Sequence, residues 1–417
     1  MIYRSPTNKK IIALSCLAFL VSSLCMSQSL GFFVKKAREQ NPELQAVQVD
    51  YSAALEKVPQ VEQLVNPTLG IGVPLLAPET RLGAQILTLS AQQLFPWFGT
   101  QKAKKEVVLN QTKSKYEQIT MARLNLDFEV KKAYYTIYHM NQKQALIKKN
   151  STLLNALEKI VLDRVANGTS LASDALRIQL ELETLSKEIE ILEQEKKVFE
   201  AHLNAKINVP LDTPIEIDSF KLEVIKPVTY WYLLTEKVNT HPLLNQLDWQ
   251  IKTSSANIYL NTLEGKPQFG LGLDYSIINP RTDALPTYNG RDILIPKLTF
   301  SIPLYRKKIR AKKQEEELKQ KSFNLQKEQM RNRLLTNLKK HITANENALL
   351  RHELYEKKLT IAQSAYRILL TAYSSEGNRF EELLALQTTL NQYELNQLDA
   401  LIESHLAKIG IERITNF

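Results

Sequence analysis

Cysteine is nearly absent: the 417-residue sequence holds two, Cys16 and Cys25. Both fall in an N-terminal segment with the plan of a secretory signal peptide. Lys9 and Lys10 precede an apolar run over residues 11–21, and a serine-rich stretch follows, ending at Ser27. The run is too short to span a bilayer. Bulky Leu24 before Cys25 argues against lipoprotein processing. With residues 1–27 expected to be removed, the remaining chain carries no thiol. That excludes disulfides, thiolate metal sites and cysteine nucleophiles. Glycine is scarce too, at 12 residues, and no Gly-rich phosphate loop or nucleophile elbow occurs. The 6 histidines lack any HxxxH spacing. Neither an enzyme nor a cofactor or metal site is expected. Loss of Arg4, Lys9 and Lys10 lowers the formal net charge from +10 to +7. In an exported chain that surplus is weak support for a nucleic-acid partner, and none is expected.

With so few glycines and only 16 prolines, the elements should be few and long. Leu, Gln, Glu, Lys and Ala dominate, the composition of long helices. The chain also repeats itself. Asn41-Pro42 and His241-Pro242 lie 200 residues apart, as do Pro67 and Pro267 with their Gly-x-Gly followers. Phe95-Pro96 matches Ile302-Pro303 at 207, and Asp174-Ala175-Leu176 matches Glu382-Leu383-Leu384 at 208. The small drift fits insertions confined to loops. The expected domains are a first repeat over 28–207, a linker over 208–240 and a second repeat over 241–417.

Each repeat contains one very long helical pattern. Leu126, Val130, Ala133, Ile137, Met140, Ile147, Leu154 and Val161 recur with a period near 3.5. The spacing predicts helices over 42–64, 100–166 and 170–207, then over 242–264, 305–373 and 379–415. At about 1.5 Å per residue each long helix measures about 100 Å. Two short helices end to end would flank it, making a rod of paired helices. Asn41 should cap the first short helix, Pro42 start it and Pro59 kink its last turn.

Between short and long helix each repeat carries two strand-like runs. Phe269, Leu271, Leu273, Tyr275 and Ile277 alternate with polar or small residues, as do Leu294, Leu298, Phe300 and Ile302. Leu69, Ile71, Val73 and Leu75 do the same, whereas residues 82–95 slip phase near Ile86-Leu87, which suggests a bulge. Two readings fit the strands alone: a sheet with one wet face, or tilted membrane-spanning strands. Four strands cannot close a barrel, and open edges cannot sit in lipid. The membrane reading therefore requires chains to pool strands; three chains would supply twelve.

The sequence resembles the TolC-like outer membrane efflux protein family over residues from about 30 to 415. The likeness rests on Asn41-Pro42 with Pro67, on His241-Pro242 with Pro267, and on two hairpin tips. The family tip motif is Tyr-x-x-Gly, with Asp six residues later and then Leu. Gly168, Asp174 and Leu176 match it, with Val165 in place of Tyr. In the second repeat Tyr373 and Glu382 keep the spacing, but Glu376 occupies the Gly position and Gly377 is displaced by one. The resemblance implies a mainly helical fold with some β: a homotrimer with a twelve-stranded outer-membrane barrel and a twelve-helix tunnel crossing the periplasm. It further implies a passive exit duct for small molecules, drugs or metal ions, working with a periplasmic adaptor and an inner-membrane pump. A type I protein secretion channel is the alternative within the family. A periplasmic coiled-coil scaffold without a pore is the alternative outside it.

On that basis the lipid face should include Phe269, Leu271, Leu273, Tyr275, Phe300 and Ile302, with Ser276 opposite and tolerant. The tunnel should close at tips 167–173 and 374–380. Asp174 and Glu382 would supply the acids there, and Arg164, Arg379 and Tyr373 the partners. Six basic residues crowd positions 306–313, and Lys102, Lys104 and Lys105 take a similar place in the first repeat. A solvated helix start accounts for them; contact with anionic headgroups, worth about 1 kcal/mol per residue, is the sharper reading. Basic charge at a helix start opposes the dipole, so something should compensate it. Trp97, Phe98 and Tyr305 beside these runs suit a membrane-interface belt.

Overall fold

The structure is a computed structural model that describes residues 29–217, 221–227, 231–376 and 379–416. The expected signal peptide and Gly377 lie outside the described residues. The chain is mainly helical with one antiparallel sheet. In order it forms α1 (Leu30–Gln40), α2 (Pro42–Leu55), α3 (Lys57–Glu62), β1 (Thr68–Gly72), β2 (Glu79–Thr80), β3 (Gly83–Phe95), α4 (Thr100–Ala166) and α5 (Ala172–Lys206). Then come α6 (Trp231–Val238), α7 (Pro242–Glu264), β4 (Gln268–Pro280), β5 (Ile293–Ser301), α8 (Arg306–Glu376) and α9 (Phe380–Thr415). Contacts divide the chain into two compact units. One gathers the chain through Gln45 with Ala122–Lys237 and Leu334–Phe417; the other holds Ala46–Met121 and Val238–Arg333.

The helix starts follow from their caps. Asn41 Oδ1 accepts the amide of Leu44 at 3.0 Å, and His241 Nδ1 accepts that of Leu243 at 3.2 Å, each just before a proline at the first helical position. The helix expected over 42–64 is two pieces, broken at Glu56. Pro59 cannot donate to the Leu55 carbonyl and its ring crowds that oxygen, so the break falls where α2 ends. Helix α1 had no counterpart among the expectations, and α8 runs on to Glu376 rather than 373.

In the first unit the helices bury a continuous apolar seam. Ile147, Leu154, Leu157 and Val161 of α4 meet Ala175, Ile178, Leu185 and Leu192 of α5, together with Tyr373, Phe380 and Leu383. Polar groups are set into the packing. Gln387 donates to Asn150 at 2.7 Å, both buried, and Arg38 grips both oxygens of Asp127 at 2.8 and 2.5 Å. His405 is buried against Tyr135, its Nε2 donating to the Glu223 carbonyl at 3.0 Å while Nδ1 has no partner. Gly410 lets α9 approach α8: a Cβ there would lie 2.4 Å from the His341 ring.

The second unit holds the sheet, in order β1-β3-β4-β5, with short β2 beside β3. Strands β1 and β5 are its edges, and Pro296 sits inside β5 opposite Leu273. The register shifts between Gln85 and Leu87, so Ile86 is the extra residue of a bulge. That is where the alternation slipped. Next to the sheet, Ala103 and Val107 of α4 pack on Ala256, Leu260 and Leu263 of α7, with Trp97 against them.

Candidate functional site

The register sorts the sheet into two chemically different faces. Leu69 stands opposite Ala91, Ala91 opposite Leu273 and Leu273 opposite Pro296; Phe95, Phe269 and Phe300 form another cross-strand row. Because side chains alternate along each strand, these residues share a face with Ile71, Leu89, Leu271, Tyr275, Leu294 and Leu298. Leu271, Leu273, Tyr275 and Phe300 are exposed on it, and Ile302 lies exposed one residue past the end of β5. All six residues expected on an apolar face thus follow one parity. The opposite face is polar and cross-linked. Gln92 donates to Thr299 at 3.1 Å, Gln85 donates to Ser276 at 2.8 Å, and Lys297 pairs with Asp274.

Ser276 departs from expectation. It is buried beneath Gln85 and Thr88, with its hydroxyl 3.2 Å from that of Thr88. A long cation would have to displace both, so the position is not a tolerant one. Thr299, on the same face, is exposed.

An aromatic cluster closes the helix-proximal end of the apolar face. Phe269 stacks on Phe95 and also meets Phe98, each with centroids 5.6 Å apart, while Trp97 meets Phe98 edge-on at 6.0 Å. Below it one lysine near each helix start is held by an acid of the preceding helix. Lys105 pairs with Glu62 at 2.7 Å and Lys312 with Glu264 at 3.0 Å.

The hairpin tips form the second candidate region, within the first unit. Helix α4 ends on Gly168, at φ +73°, in a conformation that favours glycine. Thr169 N donates to Arg164 O at 2.8 Å and Gly168 N to Val165 O at 3.0 Å, the paired bonds of a Schellman turn. Beyond it, Ser170 Oγ donates to Asp174 Oδ2 at 3.0 Å. Ser170 has one proton to give, so the Tyr373 hydroxyl, 3.2 Å from the same oxygen, must donate to it. Tyr373 itself is fully buried, ringed by Phe380 at 5.7 Å and capped by the Arg164 guanidinium at 5.3 Å. Arg164 also donates to the Ser374 carbonyl at 3.0 Å. Among the expected tip residues the structure therefore brings together Arg164, Asp174 and Tyr373. Arg379 and Glu382 face each other at 3.6 Å on their own tip, exposed. Sequence reasoning missed Ser170 and the Arg177–Glu381 ion pair, which joins the two tips. An open cleft of about 690 Å³ separates the tips, lined by Ser170, Asp174, Arg379, Glu381 and Glu382 among others.

Among the described residues no group of His, Cys, Asp and Glu is placed to hold a metal ion, and no helix is long and apolar enough to cross a membrane. No protein-family model matches the chain, and no curated protein sequence does. Solved structures do. The outer membrane protein VceC of Vibrio cholerae matches over 93% of this chain and 95% of its own, with TM-score 0.75 at 13% identity. The chain has the fold of the TolC-like outer membrane channels. The open-state outer membrane channel MtrE of Neisseria gonorrhoeae gives TM-score 0.72 at 15% identity, covering 93% of this chain and 88% of that one. The Campylobacter jejuni outer membrane channel CmeC gives 0.70 at 10%, covering 93% and 85%. At such identities the likeness is one of fold, carried by the helix and strand order rather than by shared side chains.

Proposed function

We propose that the chain is one protomer of a homotrimeric exit duct in the outer membrane, reaching into the periplasm. In this reading it passes small molecules (drugs or metal ions) from an inner-membrane pump, through a periplasmic adaptor, to the exterior. The observation that carries it is the sheet: four antiparallel strands with one apolar exposed face, one polar cross-linked face and two unpaired edges. Such a sheet cannot enter lipid alone, since each unpaired backbone group costs several kcal/mol there. Three copies closing β5 of one chain on β1 of the next would leave no edge, with the polar face inward. Phe269, Leu271, Leu273, Tyr275, Phe300 and Ile302 would then meet lipid.

The repeated plan, residues 28–207 and 241–417 joined by a linker over 208–240, is supported by matching local devices. Asn41 and His241 cap corresponding helices, and Glu62–Lys105 and Glu264–Lys312 tie corresponding helix ends. For the periplasmic gate and adaptor contact we assign the tips carrying Gly168, Asp174, Tyr373, Gly377, Arg379 and Glu382. Tyr373 acts there as the buried peg that sets tip geometry, and the exposed charges act as the contacts between hairpins.

Residues 28–417 contain no cysteine, which makes the seam directly testable. Ile71→Cys with Leu298→Cys, one on each edge strand, should give oxidised trimers in outer membranes, read by gel electrophoresis before and after reduction. A chain that fractionates as a soluble monomer, with no cross-link between edges, overturns the reading.

A further inference from the structure

Six basic residues occupy the eight positions that open α8: Arg306, Lys307, Lys308, Arg310, Lys312 and Lys313. Two are held, Lys312 by Glu264 and Lys313 by Glu317 at 3.6 Å. Arg306, Lys307, Lys308 and Arg310 are exposed and pair with no described residue. The first turn holds no acid. Each of these cations opposes the positive end of the helix dipole. Arg306 and Arg310, one turn apart, repel each other as well. A segment that breaks two local rules at once and still begins a helix is best explained by an anionic partner outside the chain.

What lies beside the cluster indicates which partner. Phe300 and Ile302 end the apolar face, and exposed Leu304 and Tyr305 lead straight into Arg306. On the neighbouring strand Phe269, paired with Phe300, anchors the Phe95 and Phe98 cluster. Lys102, exposed at the start of α4, stands just beyond that cluster on the other returning strand. Apolar side chains, then aromatic rings, then unpaired cations is the order of hydrocarbon, interface and phosphate in a leaflet. The spacing agrees. Ile302 to Arg306 reaches at most about 14 Å, enough to cross an interfacial layer of about 5–8 Å.

We propose that the opening turn of α8, through Arg306, Lys307, Lys308 and Arg310, binds the phosphate headgroups of anionic phospholipid in the periplasm-facing leaflet of the membrane that the sheet enters. This rests on the reading of the sheet as membrane-inserted. Burial of apolar face and cationic turn in one leaflet would fix the depth at which the barrel sits.

The full-length chain is reconstituted into bilayers of phosphatidylcholine alone and of phosphatidylcholine with phosphatidylglycerol. It is then extracted with mild detergent, and retained lipid is counted by native mass spectrometry. The parent should retain phosphatidylglycerol in preference to phosphatidylcholine, less so at high salt. The variant Arg306→Gln, Lys307→Gln, Lys308→Gln, Arg310→Gln should lose that preference about tenfold or more. A variant with Gln at exposed Lys148, Lys159, Lys321 and Lys357 should keep it. Insertion into both bilayers with no headgroup preference, or equal preference in parent and first variant, overturns the proposal while leaving the membrane reading intact. Insertion into neither overturns both. Loss of binding to purified peptidoglycan in the first variant, with lipid preference unchanged, overturns it in favour of a cell-wall partner.

Discussion

Tyr373 shows how one residue can serve packing and polarity together. Its ring fills the seam between the tips, while its hydroxyl starts the chain of hydrogen bonds through Ser170 to Asp174. The two roles separate by substitution. Tyr373→Phe removes one hydrogen bond and should cost about 0.5–1.5 kcal/mol. Tyr373→Ala removes the ring as well and should cost about 3–5 kcal/mol. Thermal unfolding of detergent-solubilised protein reads both, and equal losses would mean that the ring is not a packing element. The family resemblance pointed to Tyr373 through the tip motif it shares with Glu382, but not to its burial. Its partner Ser170 lies on the other hairpin, 203 positions away, and nothing local in a sequence reports such a pairing.

Buried His405 and half-buried His341 give a pH dependence with a definite sign. Burial is the main cause that lowers the pKa of both His405 and His341. For His341, nearby Lys340 and Arg413 act in the same direction. For His405, Lys408 also lowers the value, and the bond to the Glu223 carbonyl opposes it. With folded values below the ordinary value of about 6.5, the unfolded chain binds protons that the folded chain refuses. This contribution is complete above about pH 6.5 and is lost as the pH falls toward the folded values. Melting temperature should therefore drop between neutral and mildly acidic buffer, and His341→Gln with His405→Gln should flatten that part of the profile.

At the scale of elements, the long helices were legible because their signals are long. Helix α4 occupies Thr100–Ala166, the span its heptad pattern marked, since Gly99 and the Asn167-Gly168 turn punctuate both ends. Helix α1 was not legible, being only 11 residues, although α6 stands just before His241-Pro242 as α1 does before Asn41-Pro42; neither was the two-residue β2. The close approach of α9 to His341 is set by one absent side chain. Gly410→Ala would push a methyl group into the ring and should cost about 1–3 kcal/mol by overpacking. Truncating the ring in the same chain, with His341→Ala, should restore part of the loss; failure to do so would place the strain elsewhere. In the sheet, alternation marked one apolar parity along β4 and β5, whereas the Ile86 bulge broke it in β3 and left the register of residues 82–95 illegible. If the apolar face meets lipid, Leu273→Arg should cost about 2–4 kcal/mol and depress assembly, whereas Thr299→Arg on the polar face should assemble normally.

For the molecule as a whole, the proposed gate depends on charges that are individually weak. Exposed pairs such as Arg379 with Glu382 contribute about 0–1 kcal/mol each, so closure must come from repetition around an axis. Removing Asp174, Arg379 and Glu382 together should leave folding intact and raise single-channel conductance in planar bilayers. Unchanged conductance with trimer content preserved would locate the gate elsewhere, and the Arg177–Glu381 pair is the next to remove. The long helices and the strands between them were legible because they are written in periods and lengths. The tip contacts were not, because they are made between hairpins far apart in sequence.

Pro296 gives the proposed ring an uneven strength. Its ladder with β4 is unbroken in register, so the bond it cannot donate belongs to the free side of β5. Before assembly this blunts an edge that would otherwise recruit strands at random. After assembly the same missing donor recurs once at every junction between protomers, whereas the other strand proline, Pro280, sits at the very end of β4. Under mechanical load or rising detergent the barrel should unzip along these three lines first, releasing protomers whose own four strands are still paired.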